Sequence, residues 1–323
     1  MPTVLQNGFT LYTAEEMPNE MYHHEVGGVS GTGLCKIFLK SPAHYRYGEQ
    51  TTSPALTFGI ASHAAVLEKE AFDAEFVCDI ERKDYPDALN SDVEMKAKLK
   101  ELGVSGFSKL KKPELIEALK KTGEDIQFWP EIYAEFEAEH EGKTLVKKAD
   151  YENIMKMRNT IFGQKKYAEI LTGGHTEMSI VGEIELPSGR KVLVKIRPDY
   201  VSEDFQDVDY KTCLDASREK FGRDAYKLGY YLKMAMRHDI LEMAFGKKPK
   251  HMMLLAQEKT SPYIPQGYVM TDRQLELGRR QYIEALEIYA KCMETGIWPS
   301  YSSHIEELET CYDASKEMDA LEI

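Results

Sequence analysis

Three residues in the middle of the chain suggest one kind of chemistry. Asp199 follows a proline, and nine residues separate it from Asp209 in the run Asp209-Tyr210-Lys211. Carboxylates are the oxygen donors that hard divalent cations such as magnesium take. A lysine two residues past an aspartate leaves a strand on the same face. Two carboxylates can then share a cation, while the ammonium orients or deprotonates an attacking water, or holds the charge that builds on a phosphate. Tyr210 points to the other face and leaves its carbonyl free as a further ligand. Hydrolysis of a phosphodiester needs these groups. The same spacing also suits a surface strand with solvated charges.

The elements around these residues can be read from pattern. Residues 177–211 form two strands around a Pro187-Ser188-Gly189 turn and then a third strand, with Glu177 opening the first. Upstream, Leu56, Ile60, His63 and Leu67 fall on one face of a helix, where Gly59 permits close packing. A histidine on an apolar face is a hydrogen-bonded core residue as readily as a ligand. Ser30 caps a short helix carrying Leu34, Ile37 and Phe38, and Ser41-Pro42 starts another that ends near Arg46, a solvated cation or a phosphate contact. Asp215 or Ser217 begins one long helix that Gly246 closes, and Lys233 and Arg237 share a face of it. Thr271 and Gln274 make a capping box for the last helix, which Gly296 and Pro299 end.

Helices, three strands, a helix, two strands and a helix make an α/β fold, with a mixed central β-sheet flanked by helices and residues 1–323 forming a single domain. Residues 91–123 differ in composition. They read as two short helices with Ser91 and Pro113 at their starts, and eight lysines against five acids give a net charge of +3. This stretch resembles a SAP-type helix–extended–helix DNA-binding module inserted in the domain. An amphipathic hairpin with a solvated lysine face fits it as well.

Composition narrows the classes. Lys and Arg total 41 against 54 Asp and Glu, a formal net charge of −13. That balance argues against a broad basic nucleic-acid surface, though not against a basic groove within an acidic exterior. The five cysteines (35, 78, 213, 292, 311) include no CxxC pair, which argues against a zinc ribbon or an iron–sulfur cluster and for reduced thiols in the cytoplasm. No apolar run is long enough to span a membrane, and no secretory signal is visible at the N-terminus.

Several segments, taken in order, resemble a known family. SPAHYRYG, FGIASHAAVLE, TEMSIVGEI, VKIRPDYV, VDYKT with the helix after it, LLAQEKTSPY and GIWPSYS cover most of residues 28–303. The set is similar to the PD-(D/E)xK nucleases, and within them to the phage and prophage exodeoxyribonuclease VIII (RecE-like) group. The resemblance implies a restriction-endonuclease-like core. It makes His63 the early metal-site histidine, Glu177 the strand carboxylate near the metal, Asp199 and Asp209 metal ligands, and Lys211 the catalytic lysine. It implies Mg2+, with Mn2+ as a substitute, and water attack in line with a 3′-oxygen leaving group.

Its further implications concern substrate and partners. They are 5′-to-3′ digestion of linear double-stranded DNA, 3′ tails for a RecT-like single-strand annealing protein, and a ring-shaped homo-oligomer threaded by DNA. The setting would be the cytoplasm of a bacterial host, with the protein phage or prophage encoded. One departure stands out: where such nucleases carry Gln-x-x-x-Tyr after the lysine, this chain has Lys233 and Arg237. The pair suits phosphate contacts. It also suits a catalytically weak DNA-end-binding accessory protein. A third reading, a phage factor acting through protein contacts, follows from the acidic balance.

Overall fold

The computed structural model describes residues 1–49 and 53–308. Cys311 lies outside the described residues. The chain opens with two short strands, β1 (Thr3–Val4) and β2 (Thr10–Tyr12), and a third, β3 (Val29–Ser30). Ser30 and Ser41 cap α1 (Gly31–Leu39) and α2 (Pro42–Tyr47) as their sequence signals require, each hydroxyl accepting an amide of the first turn. Then come α3 (Pro54–Leu67), α4 (Lys69–Glu75) and β4 (Phe76–Cys78).

The lysine-rich segment follows as α5 (Asp92–Glu101) and α6 (Lys112–Lys120), with α7 (Trp129–Glu139) after it. Ser91 and Glu94 form the capping box of α5. The two helices bury Met95, Leu99, Leu115 and Leu119 with Phe128 in a small core of their own. This excursion is inserted between β4 and β5 (Thr144–Val146), which pair in parallel.

The remaining elements are α8 (Lys148–Phe162), α9 (Lys165–Ile170), β6 (His175–Thr176), β7 (Ser179–Glu185), β8 (Lys191–Ile196), β9 (Tyr200–Val201), β10 (Asp207–Cys213), α10 (Arg218–Lys227), α11 (Tyr230–Phe245), β11 (Met252–Glu258), β12 (Pro265–Val269) and α12 (Asp272–Thr295).

The α/β class with mixed sheets and flanking helices holds. The single central sheet expected from sequence, however, is two sheets. Among the described residues, one has the order β1-β2-β7-β8-β3 and the other β12-β11-β10-β9-β6. Each contains one parallel pair, β3 with β8 and β10 with β11. The chain steps directly from one sheet to the other twice. It passes from β6 to β7 through Glu177-Met178 and from β8 to β9 through Arg197-Pro198-Asp199. Proline has no N–H to donate to a ladder, so Pro198 ends the pairing of β8. The principal core lies where Ile180, Val194, Leu254 and Ala256 meet Leu232, Met236 and Ile240 of α11 and Leu286 of α12.

Two helices differ from the sequence expectation. The long helix after β10 breaks at Gly229, whose φ of +71° is left-handed. A Cβ there would stand 2.6 Å from Cys35 Sγ, so only glycine fits the corner. On α3 the buried side is Ala61, Ala64, Ala65 and Val66, while Leu56 and Ile60 are about half exposed. Small side chains let α3 lie close to α8, which an apolar-face reading weighted by large residues overlooks. A Cβ on Gly59 would meet nothing within 4 Å, so that glycine permits no close contact here.

Candidate active site

The two sheet crossings bring their carboxylates together. Glu177 sits at φ +49°, a left-handed conformation uncommon for a residue with a Cβ, and its amide donates to the Asp199 carbonyl at 3.4 Å. Glu177 therefore stands in the crossing itself, two residues before β7, where sequence reading had it opening the strand. His63 reaches the same point from α3. Its Nε2 is 3.2 Å from Asp199 Oδ2 and 3.8 Å from Glu177 Oε1. One donor atom each from His63, Glu177 and Asp199 lie within 4.8 Å of one another.

β10 supplies the rest. Asp207, Asp209 and Lys211 alternate onto one face, and Tyr210 turns to the other, where its hydroxyl donates to Gln257 at 2.7 Å. Lys211 Nζ is 2.6 Å from Asp209 Oδ2 and 3.3 Å from Asp199 Oδ2. It also donates to the Tyr210 carbonyl at 3.0 Å, the oxygen expected to be a free ligand. The Tyr210 amide donates to Asp199 Oδ2 at 3.0 Å.

Arg237 does not present itself to solvent as the sequence suggested. It is 7% exposed and lies behind the carboxylates. Its Nη1 is 2.7 Å from Asp209 Oδ1 and 3.6 Å from Asp199 Oδ1. Its Nε is 2.8 Å from Asp207 Oδ2, a charge contact too far off the N–H axis to be a hydrogen bond. The paired expectation for Lys233 and Arg237 thus divides. Lys233 is half-buried, with Nζ 5.7 Å from the centre of the Tyr230 ring, and Lys211 Nζ is 5.8 Å from the same ring. Arg46 is exposed at the end of α2, 5.9 Å from the Trp298 ring centre, and no contact joins it to the carboxylates among the described residues.

Burial sets the electrostatics. It pushes the Glu177 carboxyl up to about 7, with His63 opposing and Asp199 adding to the rise. Burial also raises Asp207 to about 7 against the pull of Arg237. It would raise Asp199 too, but Lys211, His63 and Arg237 overcome it and hold that carboxyl well below its usual range. Burial works against the Lys211 ammonium, yet Asp199 and Asp209 keep it protonated beyond the ordinary lysine range. In this state Lys211 is a hydrogen-bond donor and a fixed positive charge.

The donors fit a hard divalent cation. Two carboxylates and one imidazole stand at ion-sharing distance, and burial holds the Glu177 carboxyl raised against the opposing pull of His63. Three neighbours escaped the sequence reading. Glu68, one helical turn and a residue beyond His63, is raised chiefly by burial and faces His63, Arg197 and Asp199. Arg197 Nε is 3.8 Å from Glu177 and donates to Ser179 Oγ at 2.7 Å. Asp207 shares the β10 face with Asp209, and the period of two was the signal that could have found it.

The family described as PDDEXK-like domain of unknown function (DUF3799) matches residues 32–311. The crystal structure of a candidate exonuclease from Eubacterium rectale superposes with a TM-score of 0.52, at 14% identity, over 96% of this chain and 97% of that one. At that identity the likeness is one of fold. The crystal structure of SSO0001 aligns with 70% of this chain and 84% of its own at 10% identity, with a TM-score of 0.27 that carries no argument. No curated protein matches the sequence.

Proposed function

For a chain that belongs to the PDDEXK-like family DUF3799, we propose a magnesium-dependent exonuclease acting on the ends of linear double-stranded DNA. One observation carries the reading: His63, Glu177 and Asp199 converge at the seam between the sheets, with the Lys211 ammonium 3.3 Å from Asp199. His63, Glu177 and Asp199 would hold the cation, Mg2+ with Mn2+ as a substitute. The cation, when bound, supplies positive charge to a phosphate oxygen and acidifies water. Lys211, fixed by Asp209 on the same strand face, orients the attacking water or holds developing phosphate charge. Lys233, half-buried beside Tyr230 and without an ion-pair partner among the described residues, is placed to meet a phosphate.

The finer proposal is digestion from the 5′ end, leaving a 3′ tail for a RecT-like annealing protein in recombination. It includes a homo-oligomeric ring, which reconciles a net charge of −13 with a DNA-facing lumen. The α5–α6 hairpin, built as an insert with its own core and a positive charge balance, would give duplex a second contact. A phage-encoded protein of the host cytoplasm suits this role. A second reading, a weak or inactive DNA-end-binding accessory protein, is favoured by Asp209, whose two oxygens already face Lys211 and Arg237 at 2.6 and 2.7 Å, closer than the same cations stand to Asp199.

End-labelled linear duplex, with and without a 5′ phosphate, tests the two. Nucleotide release with Mg2+ that Lys211→Ala abolishes supports the exonuclease. Gel-shift binding with no release under either metal supports the accessory protein.

A further inference from the structure

Asp209, the second carboxylate of the Asp-x-Lys run, has no free oxygen. Oδ2 is 2.6 Å from Lys211 and Oδ1 is 2.7 Å from Arg237. Arg237 also reaches Asp207, which is fully buried, and comes within 3.6 Å of Asp199 Oδ1. Its planar fork therefore touches three carboxylates from one side. The opposite side, where His63, Glu177 and Asp199 meet, is the only part of this centre with ion-sharing spacing among the described residues.

We propose that Arg237 is a resident cation in the position a second divalent ion would take, so that each chain binds one ion, at His63, Glu177 and Asp199. Asp209 then positions Lys211 and does not ligate. Two divalent ions in a shared carboxylate site stand about 3.5–4 Å apart. A guanidinium already 2.7 Å from Asp209 and 3.6 Å from Asp199 fills that space and repels a second ion. Arginine suits the place because it stays charged when buried and spans several carboxylate oxygens at once. The inference rests on the nuclease reading given above.

Titration of the full-length, DNA-free protein with Mn2+, with bound ions counted by calorimetry and electron paramagnetic resonance, tests it. The wild type is expected to bind one ion. Arg237→Gln combined with Asp207→Asn removes the guanidinium and the buried carboxylate it neutralises, leaving no lone charge in the core. That double variant is expected to bind two. One ion in the double variant, or two in the wild type, overturns the proposal and leaves the nuclease reading intact. No ion in the wild type overturns both.

Asp209→Asn decides independently if the double variant does not fold. Its Mn2+ affinity should stay within about threefold of wild type while nucleotide release falls, whereas Asp199→Asn should lose affinity by about tenfold or more. A comparable loss in Asp209→Asn makes Asp209 a ligand and overturns the proposal.

Discussion

The Glu177 amide donates to the Asp199 carbonyl, 3.4 Å away, and these two residues occupy the two direct crossings between the sheets. Each crossing thus places a carboxylate that neither sheet could hold at that point by its own ladder. The carboxylate–imidazole end of the candidate site is a product of the break between sheets.

Proton competition at Glu177 should make metal affinity depend on pH. Its carboxyl is raised to about 7, chiefly by burial, so below that pH it binds a proton that a cation must displace. Mn2+ affinity measured by calorimetry is expected to rise from pH 6 to pH 8 and then level. Glu177→Gln should bind about tenfold or more weakly and lose part of that slope, the remainder coming from His63, whose imidazole, against the effect of burial, Asp199 raises.

The metal-free fold should show the opposite trend. A carboxyl raised above its unfolded value contributes stability that is present below the unfolded pKa and lost as pH rises through the folded one. Glu177 and Asp207, both raised to about 7, set that window between roughly pH 4 and 7. The shifts are worth up to about 3 kcal/mol for Glu177 and about 4 kcal/mol for Asp207. Denaturant titrations without metal should show stability declining across the window, and saturating Mn2+ should restore it at the upper end.

Lys211→Met should separate binding from chemistry. The ammonium is no ligand, so Mn2+ should still bind. Nucleotide release should fall by about a hundredfold or more, the usual cost of losing one placed charge-stabilising group. Undiminished release from end-labelled duplex would remove Lys211 from the mechanism.

Two residues past Arg237 on α11, Asp239 accepts from Arg279 at 2.6 and 2.7 Å and from the Tyr282 hydroxyl at 2.7 Å, joining α11 to α12. Burial opposes its ionisation, but Arg279, His238 and Tyr282 lower it to about 2. That stability is present above about pH 4 and lost as pH falls through 2. Asp239→Asn should cost about 2 kcal/mol at pH 7 by chemical denaturation, and much less at pH 2.

Gly229→Ala tests the corner that divides α10 from α11. The left-handed backbone and the 2.6 Å approach to Cys35 Sγ should together cost about 1–3 kcal/mol, read as a lower unfolding midpoint. Because this corner sets the start of α11, nucleotide release should fall with it.

Asp199, Asp209 and Lys211 were legible from residue type and spacing, because alternation along β10 is a local rule, whereas His63 and Glu177 came only with the family resemblance; all five converge. The split into two sheets was hidden, since it depends on Pro198 and the left-handed Glu177, which one-dimensional periodicity does not register. Arg237 looked like a surface cation because its partner Asp207 lies on another element, 30 residues earlier in the chain. The buried side of α3 was misread for a related reason: its contacts are made by alanines, whose pattern is faint beside Leu56 and Ile60.

The seam between the sheets also has a mechanical meaning. Covalent chain crosses it directly at Glu177-Met178 and at Arg197-Pro198-Asp199, so two pins join its sides. A cation gripped by both pins and by α3 would act as a rivet, coupling the opening of one half to that of the other. Amides of β7 and β10, which belong to different sheets, should then slow their hydrogen exchange together when metal is added, whether or not DNA is present.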